Sequence, residues 1–529
     1  MIKLLFRTSP SVTEHDLPHH VAEYLGISDG NINKISVLGR SLDARRGRPP
    51  CLLWTVSAVL NGVSEPKICK KGKAEIYTPK PLYSPPAVCI KKHASRPVVV
   101  GSGPAGMFCA LVLARAGCRP IVIERGGRVE ARVRAVDTFF KTKELDPDCN
   151  IQFGEGGAGT FSDGKLGTLI GDPQSRIGFV MREFASHGAD GDIIYSNKPH
   201  IGTDVLRVVV AAIRDEIISL GGEYRFETKL VGIKSDGNKL VGIVTEHHGN
   251  AEEIATDTAF LALGHSARDT FKMLYLAGVP MQKKPFSMGV RIEHLREDID
   301  RAMYHSYYGT DGLPAADYKL SFHTDEGRGV YTFCMCPGGV VVPAASERDA
   351  FVTNGMSYHA RDAINSNSAL LVSLLPQDVG DGLFDGISLQ QRLERSAFML
   401  GGGDMTAPCQ TVGDFMLGRC SEGFGRVAPS CPTGARPTDL AEIMPPFMTS
   451  SLRAALPFFG KRIAGFDHPE AVLTGIESRS TCPIRIMRGD DMQSEMRGIY
   501  PIGEGAGYAG GITSAAVDGI KAAEQYLTD

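Results

Sequence analysis

Val98 to Glu124, reading VVVGSGPAGMFCALVLARAGCRPIVIE, constrains this chain more than any other stretch. Val98-Val99-Val100 is a β-branched apolar run, and Gly101-x-Gly103-x-x-Gly106 follows it at once. An apolar helical pattern then runs through Met107, Ala110, Leu111 and Ala114 to Gly117. Ile121-Val122-Ile123 makes a second strand that ends on Glu124. Each residue type answers a physical need of a strand–turn–helix that holds a dinucleotide. Gly101 allows the tight turn, Gly103 lets the backbone approach a pyrophosphate, and Gly106 lets the helix pack on the strand. Pro104 and Ala105 open a helix whose free N–H groups and partial positive charge face the phosphates. Glu124 stands where a carboxylate accepts ribose hydroxyls, and its charge argues against a 2′-phosphate. Arg125 beside it joins the candidate binding residues.

With 529 residues the chain exceeds one hydrophobic core, so two or three domains are expected. Hydrophobic and charged fractions of 43% and 22% fit a globular protein, and 61 glycines cluster in loops. No apolar run reaches a membrane span. The start, Met1 to Arg7, is charged too early for a signal peptide, which points to the cytoplasm. The 12 cysteines include no Cys-x-x-Cys, so neither a zinc knuckle nor a thioredoxin-like pair is indicated, and no metal site is expected. Residues 1–96 carry 15 Lys and Arg against 7 Asp and Glu, a surplus of +8, and the remainder carries −11. No aromatic interleaving supports base stacking, so this basic front reads as a face docking on the acidic body, not as a nucleic-acid site.

Residues 1–92 read as a small α+β unit. Its strands are Ile2 to Phe6, Ile32 to Leu38 and Cys51 to Leu60, its helix lies in Thr13 to Leu25, and Arg40 to Arg48 forms a charged hairpin tip. Pro79-x-Pro81 and Pro85-Pro86 make a stiff linker ending at Lys91-Lys92. After the glycine motif comes an arginine-rich helix with Arg125, Arg128, Arg132 and Arg134. The loop Phe153 to Lys165, FGEGGAGTFSDGK, holds enough glycine for close backbone approach to a large flat ligand, with Gly156, Gly157 and Thr160 as contacts. Thr203 to Leu220 reads as an amphipathic helix, followed by strands at 224–228, 230–233 and 240–246. Thr258 to Leu263 is an apolar strand meeting Gly264. Pro285 to about Phe466 departs from the doubly wound pattern. Near the end, a strand runs into Gly503-Glu504, glycines follow through Gly510-Gly511, and a helix runs from Ile512 to about Tyr526.

Together these blocks resemble the FAD-dependent dehydrogenases known as NAD(FAD)-utilising dehydrogenases, a family without an established reaction. RSLDARRG (40–47), FGEGGAGTFSDGKLGT (153–168), PFSMGVRIEH (285–294), YTFCMCPGG (331–339), NGMSYHARD (354–362), NSNSALLVS (365–373) and GEGAGYAGGITSAAVDGI (503–520) carry the likeness. The resemblance implies an α/β fold of the glutathione-reductase type. A Rossmann-like FAD-binding domain (93–284 and 471–529) is interrupted by an α+β cap or substrate domain (285–470). A small ferredoxin-like α+β domain (1–92) precedes it. It implies FAD as cofactor, with the Leu230 backbone at the adenine, Glu504 at the ribityl chain, and Gly511 and Ile512 at the flavin pyrimidine. Cys482 departs from the family's Ser, and Glu504 from the Asp of aromatic hydroxylases, which weighs against a monooxygenase.

A flavin carries the reaction and the protein tunes it. The helix from Ile512 aims its dipole where negative charge grows on reduction. No second strand-Gly-x-Gly-x-x-Gly-helix occurs, so NAD(P)H, as a transient reductant, would dock directly on the flavin face. Lys165 could face the flavin or an anionic substrate. Arg485 and Arg479 could clamp a carboxylate or pair with Glu477 or Asp490. Cys334 and Cys336 flank Met335 on a strand and would point the same way, which makes Cys336 a candidate thiol. His294 and His323 read as structural. The leading expectation is a dehydrogenase or reductase moving hydride between flavin N5 and a small molecule. A monooxygenase, or a FAD-stabilised binding protein whose basic front engages a macromolecule, are the alternatives. A protein electron partner stays open.

Overall fold

A computed structural model describes residues 1–88 and 95–528. Its centre is a five-stranded parallel sheet with the order Ile499–Pro501, Ala259–Leu261, Val98–Val100, Ile121–Ile123, Glu223–Arg225. The three middle strands are buried throughout, as apolar runs covered on both faces must be. Chain order reverses beside Val98–Val100, and the crevice at such a switch point is where open α/β sheets bind ligands. One face carries helices Pro104–Arg115, Arg176–Ser186, Thr203–Ser219 and Ile512–Thr528. The other carries helix Arg268–Leu276 and an antiparallel meander of Thr228–Asp236, Lys239–His247 and Asn250–Ala255. Helix Pro104–Arg115 is buried from Ala105 to Ala114, because it lies between the sheet and the helix Ile512–Thr528.

A mixed sheet of seven strands forms the second body, in the order Ser321–His323, Gly329–Cys336, Asn365–Ser373, Ser287–Leu295, Val472–Glu477, Ala407–Thr411, Ala435–Pro437. Its largest apolar cluster takes in Met288, Val290 and Leu370 from the strands and Leu452, Leu456 and Phe459 from helix Pro446–Arg462. Strand Val472–Glu477 pairs with both Ser287–Leu295 and Ala407–Thr411. The sequence boundary at 470 therefore falls too early: the return to the five-stranded sheet begins after Glu477. The N-terminal unit is a sheet ordered Ile32–Asp43, Cys51–Leu60, Ile2–Thr8, Glu75–Ile76, with helices Leu17–Leu25 and Glu65–Lys70.

Two local expectations fail. The strand expected to stop at Leu38 continues to Asp43, so Arg40 is a strand residue and not part of a hairpin tip. Its guanidinium lies 5.7 Å from the Trp54 ring and 5.4 Å from the Tyr195 ring and donates to Asp192, joining the N-terminal unit to the body. The arginine-rich helix begins at Val129, leaving Arg125 and Arg128 ahead of it. In the linker, Tyr83 packs edge-on against Phe179 and bonds Glu524, while Lys91-Lys92 lies outside the described residues. Among the described residues no helix is long and apolar enough to cross a membrane.

Candidate functional site

The glycine turn after Val100 and the start of helix Ile512–Thr528 line one cleft of about 370 Å³. That lies within the roughly 300–1,000 Å³ of an ordinary small-ligand site, and its lining runs from the dinucleotide turn to the last helix. At the turn, Gly101 has φ +99°, and a Cβ there would meet the Ala262 carbonyl at 2.4 Å. A Cβ on Gly106 would meet the Gly101 carbonyl at 1.9 Å, so helix and strand touch backbone to backbone. A Cβ on Gly264 or Gly510 would meet nothing within 4 Å, so both open onto free space in the cleft. This cradle of bare backbone, two helix N-termini and a buried acid fits FAD.

Glu124 is 6% exposed and its carboxylate is already full. One oxygen accepts from Ser102 N and Oγ, each at 2.9 Å. The other accepts from Gly126 N at 3.0 Å and Gly154 N at 2.9 Å. Two oxygens offer about four acceptor positions, so a ribose must share them, and Glu124 also pins three loops together. Arg125 is likewise engaged, donating to Asp269 at 2.8 Å and Thr270 at 3.1 Å and lying over Phe153.

The loop 153–165 is shaped by a side chain the sequence did not mark. Arg132 is fully buried and donates to the carbonyls of Asn150, Ile151, Gly154, Glu155 and Gly157 at 2.7–3.2 Å. Burial lowers its pKa to about 10, which leaves it charged at neutral pH. Arranged this way, the loop brings Gly157 against the first turn, where its Cβ would lie 2.9 Å from Gly103 Cα. Gly156 and Thr160 serve the loop's interior and do not line the cleft: a Cβ on Gly156 would meet Thr160 Oγ1 at 2.1 Å.

Lys165, Cys334, Asn354, Glu477 and Arg479 line the same cleft. Lys165 Nζ lies 3.2 Å from Asp163 and has no hydrogen-bond partner among the described residues. Burial pushes the Asp163 carboxyl up, but Lys165 and a bidentate Arg361 outweigh it and hold it at about 2. Arg479 is 3% exposed in its side chain and pairs with Glu394, which also takes Arg268. Arg291, fully buried, clamps Glu477 and donates to Asn367, Asn354 and the Cys334 carbonyl. His265, beside Gly264, reaches to 3.5 Å from Glu504, and its Nε2 is buried without a partner among the described residues.

Of the cofactor candidates, Gly101, Gly103, Pro104, Ala105, Glu124, Arg125, Gly157, Leu230, Gly264, Gly503, Glu504, Gly511 and Ile512 line the cleft; Gly106, Gly156 and Thr160 stand behind its wall. Of the catalytic candidates only Lys165 lines it. Arg485 lies outside on strand Ile484–Ile486, its guanidinium 5.1 Å from the Tyr508 ring, and Arg479 occupies the wall instead. Arg479 pairs with Glu394, not with Glu477 or Asp490. Cys336 is fully buried, and Cys334 lines the cleft in its place, because a bulge breaks the expected alternation. His294 is structural as expected, bonding the Phe466 carbonyl at 2.7 Å.

Fold and cleft define a flavoprotein: an FAD-dependent oxidoreductase with an α/β nucleotide-binding sheet joined to a second, mixed sheet. Residues 95–145 match the FAD binding domain model, and residues 285–480 match that of the FAD-dependent protein, C-terminal domain-like. An uncharacterized protein of Clostridium beijerinckii is 44% identical over 521 residues, covering 97% of this chain and 95% of its own. The chain belongs to the family of that clostridial protein. Looser likenesses are to solved structures. A triple mutant of the flavin-dependent brominase Bmp2 is 13% identical over 82% of this chain and 80% of its own, with a TM-score of 0.39. An E. coli quinol fumarate reductase FrdA mutant is 12% identical over 82% and 70%, with a TM-score of 0.37.

Proposed function

We propose that this chain is a dehydrogenase or reductase of the NAD(FAD)-utilising kind, acting on a small molecule between the flavin and the seven-stranded sheet. The observation that carries this reading is the single cleft. A dinucleotide turn forms one end, and the other ends in charged and thiol side chains contributed by the second sheet. Bound FAD would supply two-electron chemistry at its ring. Gly101, Gly103, Pro104, Ala105 and the Gly157 loop would hold its pyrophosphate, Glu124 and Leu230 its adenosine, and Glu504 with Gly511 and Ile512 its ribityl and ring. Gly106, Gly156 and Thr160 would shape that cradle from behind. The chain's own part is to bind and orient. Lys165 sets a positive charge at the substrate end, and Arg479, held on Glu394, presents a fixed guanidinium edge to the same space.

The division into domains follows the same reading. Residues 1–92 form a ferredoxin-like unit, supported by the strand order 2-3-1-4 of its sheet. Residues 93–284 and 478–529 form the flavin domain, and 285–477 the α+β cap. The test is the visible spectrum of the purified protein, followed by anaerobic NADH and NADPH. Bound flavin that bleaches with either is expected. A colourless protein that cannot be reconstituted overturns the reading, and reduction that proceeds only with coupled substrate hydroxylation replaces it by a monooxygenase.

A further inference from the structure

The seven-stranded sheet meets the cleft with an irregular strand. Phe333 pairs with Ala369 and Cys336 with Asn367, so Cys334 and Met335 together face Ser368. Cys334 adopts φ +43°, a left-handed backbone that a residue with a Cβ rarely takes. Its carbonyl is held by Arg291 Nη1 at 3.2 Å and by the Cys336 thiol at 3.4 Å. The bulge turns Cys334 onto the cleft wall and keeps Cys336 fully buried directly behind it.

We propose that Cys334 and Cys336 form a redox-active dithiol, Cys334 attacking a small-molecule disulfide that enters the cleft and Cys336 resolving the mixed disulfide. This rests on the flavin oxidoreductase reading and gives it a substrate class. The electrostatics separate the two roles. A hydrogen bond from Cys336 lowers Cys334 below the ordinary thiol value despite its burial, helped by Lys165 and Arg291 and opposed by Glu477. The bond to Cys334, with burial, pushes Cys336 well above the ordinary thiol. Burial likewise raises Cys109, Cys409, Cys431 and Cys482. An attacking thiol works best with a pKa near ambient pH. Lys165, lacking any hydrogen-bond partner among the described residues, is the cation placed to balance the thiolate.

The Cys334 thiolate attacks one sulfur of RS–SR′, forming the Cys334–SR bond and expelling R′S⁻. Cys336 gives its proton to that leaving group and attacks Cys334 Sγ. The Cys334–Cys336 bond forms and RS⁻ leaves, taking a proton from solvent. Two electrons pass from the protein dithiol to the substrate, and FAD bound in the cleft, once reduced by NAD(P)H, would supply the two electrons that reopen the protein disulfide.

The full-length protein is equilibrated across a dithiothreitol redox series, alkylated and digested. Gly329 to Arg348 carries both cysteines and no other. Expected is reversible loss of two hydrogens from that peptide, and trapping of one glutathione on Cys334 when the Cys336→Ser variant meets glutathione disulfide. The alkylation rate of Cys334 should reach half its maximum clearly below the ordinary thiol value and shift upward in Cys336→Ser and in Lys165→Met. Two thiols that stay free across the series, or a Cys334 midpoint at the ordinary thiol value of about 8.5, overturn the proposal. These readings need no bound flavin. A flavin-free protein that still closes the bond sinks the proposed function and leaves the dithiol standing. A flavin-loaded, reducible protein whose bond never closes does the reverse.

Discussion

Arg132 is a buried charge with no carboxylate hydrogen-bond partner among the described residues; five peptide carbonyls solvate it instead. Arg132→Met would take away the donor of the Asn150 and Ile151 carbonyls, while those of Gly154, Glu155 and Gly157 would keep only Gly157 N, Thr160 Oγ1 and Thr160 N, and would unfold or loosen the loop 153–165, at a cost on the order of 3 kcal/mol. Arg132→Lys keeps the charge but offers three donors where five acceptors wait, so it should rescue little. Thermal melts of both variants check this, and an unshifted melting point in either would sink the account. Glu124 makes a sharper case, because its structural duty is separable from any ribose contact. In Glu124→Gln the amide must turn donors toward the N–H groups of Ser102 or of Gly126 and Gly154. About 2 kcal/mol of stability is expected to disappear in urea unfolding even without FAD. If the loss appears only with FAD bound, Glu124 serves the ligand alone.

At the scale of elements, the cleft depends on two helices lying side by side. A Cβ on Gly519 would sit 2.0 Å from the Ala105 carbonyl, so helix Ile512–Thr528 meets helix Pro104–Arg115 through bare backbone. Gly519→Val should push the helices apart, costing about 1–3 kcal/mol, and release flavin on gel filtration. Retention equal to wild type would show that the helix contact does not set the cleft. The glycine turn was legible in sequence because its requirements are local: a turn, an approach and a packing contact within a few residues. The same locality explains the misses. Strand alternation placed Cys334 and Cys336 on one face, but the bulge that separates them is set by pairing with Asn365–Ser373. An arginine-rich helix ordinarily reads as a solvated face, and nothing nearby in sequence signals that Arg132 points inward at carbonyls of 150–157. Arg479 and Arg485 are close in sequence, yet only the partner Glu394 on a distant helix decides which one reaches the cleft.

For the whole molecule, buried titrating groups set the acid limit. His294 is held neutral by burial, its pKa lowered to about 4. Unfolding restores the ordinary value near 6.5, so the unfolded chain binds the extra proton first. Its contribution is complete above pH 6.5 and drains as pH falls toward 4, roughly 3 kcal/mol in all. Asp163, depressed to about 2, adds stability above pH 4 that is lost as pH falls through 2. Melting points across this range should fall in two stages, and His294→Gln should flatten the upper one. A variant that follows the wild-type curve between pH 6.5 and 4 would assign that loss elsewhere. Most of the molecule's architecture was readable only as blocks: the order of the seven-stranded sheet joins segments from 287 to 477, and no local pattern encodes such pairing.

Ile499 pairs with Ala259, 240 positions earlier in the chain, and most of what lies between is the body built on the second sheet. Folding therefore has a fixed order of completion. The first four strands of the nucleotide crevice can assemble early, but Ala259–Leu261 stays an open apolar edge until the inserted body has collapsed and delivered the last strand. Flavin capture is thus a late checkpoint in biogenesis. Damage to the insert should surface as sticky, cofactor-poor chains, even when every phosphate-facing glycine is intact.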